Sequence, residues 1–362
     1  MKSKATAQLT LVFLLLVLLQ PSPVVHADQW QWAKYTGNPI LVPTPGSWDQ
    51  DFTIAPRVLF DGKMFRMWYL GGHSGVTAIG YATSLDGISW TKYPSPVLTH
   101  GLPGSFDSAQ LGLGSVVQMN ATFFLMWYQG GNHISFMNGA IGLATSQDGL
   151  TWTKYEGNPV LRSSAIDQLA LASPFVIRLK DTFNMWYTGK SGADPSRTTR
   201  ILYATSFDGI NWVKWPHPVF SPSVNPEMWD SGAIYSASVF YDGTNFGLWY
   251  SGLNKSYGDP RIGFATAPDG ATWTRSSTSP LLDLGAPGTW DSAGVEQPCA
   301  VIGNGYLLYY DGFSSVGGSI GLARAPQGFN IPEFPVLPAG LLLVMTVCAA
   351  ICLLHGKRRM VT

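Results

Sequence analysis

An all-β chain built from five copies of one four-stranded unit is predicted by three phrases that recur in register. Met67-Trp68-Tyr69 returns as Met126-Trp127-Tyr128, Met185-Trp186-Tyr187, Leu248-Trp249-Tyr250 and Leu308-Tyr309-Tyr310, at intervals of about 60 residues. Shortly after it, Ala82-Thr83-Ser84-Leu85-Asp86-Gly87 returns at Ala144, Ala204 and Ala265, and in degenerate form at Ala323. A tryptophan then precedes the fourth strand at Trp90, Trp152, Trp212 and Trp273. Four-stranded units of this length repeated radially are the blades of a propeller, whereas linear solenoids use repeats usually shorter than ~50 residues. The expectation is a five-bladed β-propeller.

In the first copy the strands fall near 55–60, 64–70, 78–84 and 89–93, where aromatic and β-branched residues alternate around Asp61-Gly62 and Asp86-Gly87. Asp-Gly between such runs is a hairpin signal. No stretch of 28–330 sustains a helical period. The units span about 48–93, 106–155, 166–215, 229–275 and 290–325. The last unit reaches Pro326 without an outer strand, and the missing piece stands at the other end. Trp32-Ala33-Lys34-Tyr35-Thr36-Gly37-Asn38-Pro39 closely matches Trp152-Thr153-Lys154-Tyr155-Glu156-Gly157-Asn158-Pro159. Residues 30–35 are therefore expected to pair as the fourth strand of the fifth blade, covering an edge that would otherwise be open.

The two ends carry different signals. Lys2 and Lys4, an apolar run from Leu9 to Leu19, and small residues around Val25-His26-Ala27 read as a secretory signal over 1–27. An uncleaved anchor is the alternative, but that run is short of the ~20 residues a span needs. At the other end Ile331-Pro332-Glu333-Phe334-Pro335 leads into the apolar stretch Val336 to Leu354, and Lys357-Arg358-Arg359 follows. This segment, 331–362, reads as a membrane helix with a basic cytoplasmic tail and the propeller outside. Its Pro-Glu-Phe motif, apolar helix and basic tail resemble the PEF-CTERM sorting signals of archaeal surface proteins. That resemblance implies a sortase-type processing enzyme as partner; a plain C-terminal anchor is the other reading, and both place the protein at the cell surface.

Composition narrows the function classes. Charged residues make up 12% of the chain and the formal net charge is zero, so nucleic acid finds no electrostatic footprint. Cys348 and Cys352 lie in the apolar tail and Cys299 stands alone, so the propeller holds together without an internal disulfide. No spacing meets a zinc-site pattern, and no cofactor motif is present.

Strand alternation places the loops before each first strand, and between second and third strands, on one face. Those loops vary while the Asp-Gly hairpins on the other face do not, which makes the variable face the candidate site. Asp49, Asp107, Asp167, Asp230 and Asp291 recur before each first strand, mostly after Trp48, Phe106, Trp229 or Trp290. They read either as turn-capping residues or as carboxylates converging on a bound ligand. Residues that break the repeat are more informative. Among Ile54, Leu113, Ala172, Tyr235 and Glu296 one residue is acidic, and among Asp51, Gln110, Leu169, Gly232 and Ala293 likewise one. Asp51 and Glu296 come from neighbouring blades and suit paired-carboxylate acid/base chemistry; ordinary hydrogen bonding near the channel mouth is the bland alternative. Asp311 takes the place of Leu70, Gln129, Thr188 and Ser251, and His73 and His133 follow the Gly-Gly that ends a second strand. With Trp48, Asp107, Gln110, Asp167, Asp230, Tyr235 and Trp290 they form the candidate binding set.

These phrases resemble the five-bladed propellers of the arabinanase, levansucrase and invertase superfamily, with glycoside hydrolase families 43 and 32. The resemblance implies a glycan in the central funnel, handled by an aspartate base, a glutamate acid and a further aspartate. Family 43 carries its base immediately before a proline on the innermost strand, where this chain has Ala55-Pro56, Ser173-Pro174 and Gln297-Pro298. No family residue carries over by position. Two readings stay open: a glycan-cleaving enzyme acting through Asp51 and Glu296, or a surface propeller that binds glycans or proteins without cleaving them.

Overall fold

The computed structural model describes residues 32–131, 139–167, 170–190, 198–255, 258–303, 305–315 and 317–325. The segments read above as a secretory signal, membrane helix and sorting motif, together with His133, lie outside the described residues. All regular structure within them is β. A short strand β1 (Ala33–Lys34) precedes β2 (Phe52–Phe60), β3 (Phe65–His73), β4 (Val76–Ser84) and β5 (Thr91–Lys92). The second set is β6 (Gln110–Asn120), β7 (Phe123–Gly131), β8 (Ala140–Ser146) and β9 (Trp152–Lys154). The third is β10 (Ala170–Leu179), β11 (Thr182–Lys190), β12 (Arg200–Ser206) and β13 (Val213–Lys214). The fourth is β14 (Ala233–Tyr241), β15 (Phe246–Leu253), β16 (Arg261–Ala267) and β17 (Thr274–Arg275). The last strands are β18 (Gly294–Gly303), β19 (Gly305–Ser314) and β20 (Gly317–Arg324).

Three of these sets are separate antiparallel four-stranded sheets, and the first set joins β18–β20 in one eight-stranded sheet. The junction is one parallel pairing, Phe52 with Gly318. Gly318 permits it by lacking a side chain, since a Cβ there would stand 2.7 Å from Ile54 Cγ2. Within that sheet β1 pairs with β20, Ala33 opposite Arg324 and Lys34 opposite Ala323. The repeated Asn-Pro phrase explains the docking. Asn158 Oδ1 accepts from Leu143 N–H at 2.8 Å and its amide donates to Leu143 O at 2.9 Å. Asn38 does the same to Leu322, at 2.9 and 2.8 Å, across 284 residues of sequence.

Packing follows the repeated phrases. The large rings of Trp68, Trp127, Trp186 and Trp249 are fully buried. The first three donate to the carbonyls of Gly149, Gly209 and Gly270, each in the Asp-Gly hairpin of the next set, at 2.8–2.9 Å. Tyr309 makes the corresponding bond to Gly87 at 3.0 Å. Those glycines hold φ between 72° and 78°, a left-handed turn conformation that a side chain resists. In the same hairpins the carboxylates of Asp86, Asp148 and Asp208 each accept two backbone N–H bonds, which holds their pKa values well below the ordinary range.

The five recurrent aspartates are buried and paired. Asp49, Asp107, Asp167 and Asp291 face Lys92, Lys154, Lys214 and Lys34 at 2.5–2.6 Å, and Asp230 faces Arg275 at 2.6 Å. Each also accepts from the tyrosine that ends the Met-Trp-Tyr phrase, at 3.0–3.3 Å. The aspartate thus ties the approach to the first strand, the second strand and the fourth strand of its own set. This is a cross-strand lock, broader than the backbone turn cap expected from sequence.

Candidate functional site

Each inner strand carries a β-bulge at the same point. The register of β2, β10, β14 and β18 shifts between Ile54 and Arg57, Ala172 and Phe175, Tyr235 and Ser238, and Glu296 and Cys299. Ala55, Ser173, Ser236 and Gln297 there adopt φ of 47–55°, costly for residues other than glycine. In β6 the shift falls between Leu113 and Ser115, at Gly114. The bulges re-aim side chains toward a shared space. A 440 Å³ cavity is lined by Ile54 and Ala55, Gly112 and Leu113, Ala172 and Ser173, Tyr235 and Ser236, and Gln297, so all five inner strands contribute.

The bulged backbone needs acceptors for its displaced N–H groups. Thr188 Oγ1 takes the N–H of Ser236 at 3.0 Å, and Ser251 Oγ that of Gln297 at 2.9 Å. Asp311 Oδ1 takes that of Ala55 at 2.7 Å. A carboxyl therefore stands where a hydroxyl suffices elsewhere, and its second oxygen, Oδ2, is buried without a hydrogen-bond partner. Asp311 is the direct cross-strand partner of Glu296. Glu296 Oε2 accepts from the Tyr235 hydroxyl of the neighbouring set. Burial raises the pKa of Glu296, and burial followed by the Glu296 charge pushes Asp311 well above the usual carboxylate range. Glu296, Asp311 and Tyr235 thus form one poorly solvated cluster, and of the three Tyr235 lines the cavity.

Asp51 has different company. Its carboxylate meets His73 Nδ1 at 3.1 Å and accepts the Ser74 N–H at 2.7 Å, all exposed at the β3–β4 turn. The bond from His73, then that from Ser74, lowers its pKa. No hydrogen bond among the described residues links Asp51 to Glu296; Tyr235 and Asp311 are the groups brought to Glu296. Trp48 stacks on Tyr69 and Trp290 lies tilted against Tyr310, with ring centroids 5.8 and 5.7 Å apart, as part of the framework. Asp107, Asp167 and Asp230 sit in the cross-strand locks, each 0–2% exposed in its carboxylate side chain. Gln110 opens β6 opposite Gly131. Sequence reasoning did not single out Gln297, Ser236, Thr188 or Gln129 as cavity residues. The available signal was the column immediately before Pro56, Pro174 and Pro298, read only for a missing aspartate.

No family model matches the sequence. The chain is similar to an uncharacterized protein of Mycobacterium tuberculosis, 28% identical over 270 residues, 71% of this chain and 87% of the relative. It is also similar to a β-1,2-mannobiose phosphorylase of a Thermoanaerobacter species, 29% identical over 109 residues, 26% of this chain and 35% of that enzyme. Among solved structures, a glycoside hydrolase matches with TM-score 0.67 at 18% identity, over 84% of this chain and 94% of that one. A structure from the GH130 family of mannoside phosphorylases, which contains glycoside hydrolases that target β-1,2-mannosidic linkages in Candida mannan, matches at 0.63 and 17%, over 82% and 96%. A thermostable family-43 glycoside hydrolase matches at 0.61 and 16%, over 78% and 91%. The chain therefore has an all-β fold of four-stranded sheets of the propeller type found in glycoside hydrolases.

Proposed function

We propose that this is a carbohydrate-active protein that breaks glycosidic bonds, with the glycan seated in the central funnel of a closed five-bladed ring. The observation that carries the reading is Glu296, an acid with a raised pKa whose bulge neighbour Gln297 lines a 440 Å³ cavity. The ring is supported by the contact cycle of inner strands, β2 with β6, β6 with β10, β10 with β14, β14 with β18 and β18 with β2.

Glu296 is the general acid: its O–H protonates the leaving oxygen as the glycosidic C–O bond breaks, while the Tyr235 hydroxyl holds the carboxyl in place. Asp51 is the base and takes a proton from the attacking water. Their surroundings move the two carboxyls in opposite directions, Glu296 up and Asp51 down, which is the division an acid and a base require. This assignment needs the carboxyls to flank the bond, ~5–9.5 Å apart. β-1,2-Mannobiose, with and without phosphate, is the first substrate to try, given the names of the similar proteins; arabinan, xylan and fructan follow. Wild type releasing sugar, with Glu296→Gln and Asp51→Asn both inactive, supports the pair. A fully active Asp51→Asn variant removes Asp51 from it.

A second reading, binding without cleavage, is favoured by one observation. The bulge column Ala55, Gly114, Ser173, Ser236 and Gln297 contains no carboxylate. It is distinguished by glycan binding in wild type that yields no product and survives Glu296→Gln. We further propose that the protein is exported and held at the cell surface by its C-terminal segment, which protease shaving of intact cells tests.

A further inference from the structure

On the far side of the bulges lies a second cavity, of 380 Å³, lined by the hairpin-side halves of β2, β6, β10 and β18. Arg57 and Arg178 line it with Ser115, Gln118 and Cys299, and no carboxylate is among its lining residues. Arg57 follows the β2 bulge and is only 3% exposed. Its Nε donates to Gly114 O and its Nη1 to Pro56 O, both backbone carbonyls, while Nη2 is buried with no hydrogen-bond partner. The Phe175 ring lies 5.8 Å from the guanidinium carbon. None of the ion pairs among the described residues includes Arg57.

A guanidinium stays charged in a protein, and a buried charge without a counter-charge is costly. Carbonyl dipoles satisfy two of its nitrogens but leave the charge uncompensated. Asp311, whose charge would act on Arg57, is engaged with Ala55 N–H, and burial together with Glu296 outweighs Arg57 and favours its neutral form. Cys299 is buried and its thiol is raised by desolvation, so it offers no anion either. The free edge of the guanidinium is the part that matches an oxyanion. Arg178 adds a second positive group to the cavity, paired with the exposed Asp181 at 3.7 Å and lying over the Phe183 ring at 5.7 Å.

We propose that this cavity is an anion site, in which Arg57 Nη2 pairs with a small oxyanion of the phosphate class. The site is separate from the glycan-side cavity and does not depend on glycan chemistry. The test is thermal unfolding of the full chain in sodium phosphate against sodium chloride at matched ionic strength, with sulfate and acetate as further arms. Phosphate at about 100 times its dissociation constant is expected to raise the melting temperature by ~5–10 °C. Arg57→Met is expected to abolish that shift and Glu296→Gln to retain it. Should Arg57→Met not fold, Arg57→Lys keeps the charge but loses the fork, and a reduced phosphate shift is expected. A response to acetate equal to that to phosphate assigns a carboxylate ligand instead and overturns the phosphate class. No wild-type shift beyond that in chloride, an undiminished shift in both Arg57 variants, or a shift lost in Glu296→Gln overturns the site.

Discussion

Replacing Trp32 with alanine tests whether the N-terminal segment is the outer strand of the last set. Trp32 is 5% exposed, and its indole meets Trp249 edge-on, with centroids 6.1 Å and planes 83° apart. The same contact recurs within the repeat, Trp152 on Trp68 at 6.2 Å, Trp212 on Trp127 at 6.0 Å and Trp273 on Trp186 at 6.4 Å. Truncating a buried tryptophan costs about 3–5 kcal/mol. At ~2–4 °C per kcal/mol, the melting temperature should fall by ~6–20 °C. That loss is a large share of the ~5–15 kcal/mol by which folded domains outweigh their unfolded chains. Calorimetry and urea unfolding of the variant beside Trp212→Ala provide the comparison, because Trp212 makes the same contact from a strand contiguous with its own set. Comparable losses are expected. A Trp212→Ala variant that melts early beside a Trp32→Ala variant that melts like wild type would refute the reasoning, since β1 would then be a dispensable tail.

Other consequences can be measured on the same footing. Lys214→Met leaves Asp167 buried without its cation, and a loss of about 3–5 kcal/mol in chemical denaturation is expected, whereas an unchanged midpoint would show the lock to be ornamental. Asp311→Asn keeps a carbonyl acceptor for Ala55 N–H and removes the ionisable group. Because the folded pKa of Asp311 lies above its unfolded value near ~3.9, the folded state binds the extra proton and wild-type stability falls as pH rises through that window. The variant should therefore gain on wild type at pH 7 and show no gain at pH 3, read by melting temperature; an equal offset at both values would mean a packing effect. Tyr235→Phe removes the hydroxyl that bonds to Glu296, and a further rise of the Glu296 pKa is expected in a carboxyl-resolved NMR titration. A Glu296 titration identical to wild type would sever that link.

Much of the architecture was legible because it is written several times over. The first three Met-Trp-Tyr tryptophans and the Asp-Gly hairpins recur since they bond to one another across adjacent sets, as Trp68 does with Gly149. The match between Asn38 and Asn158 placed the N-terminal strand for the same reason. What happens once per chain was harder to read. The bulge shifts register between Glu296 and Cys299, so the pairing of Glu296 with Asp311 depends on a backbone irregularity that spacing does not announce. Asp51 and Glu296 both stood out as lone acids in their columns, yet a column does not fix direction. The β3–β4 turn, with Ser74 at φ 53°, turns a backbone N–H toward Asp51 and keeps it with His73. Arg57 was passed over because a charged residue next to a proline on an inner strand carries no motif; only its burial makes it noticeable.

The most direct test of the carbohydrate reading is product release by purified wild type and Glu296→Gln from the panel headed by β-1,2-mannobiose, with and without phosphate. Sugar or sugar phosphate from wild type, reduced by about 10²–10⁴-fold in Glu296→Gln, is the expected result. Cleavage undiminished in Glu296→Gln, or no product from any glycan by a folded wild type that nevertheless binds one, would contradict it.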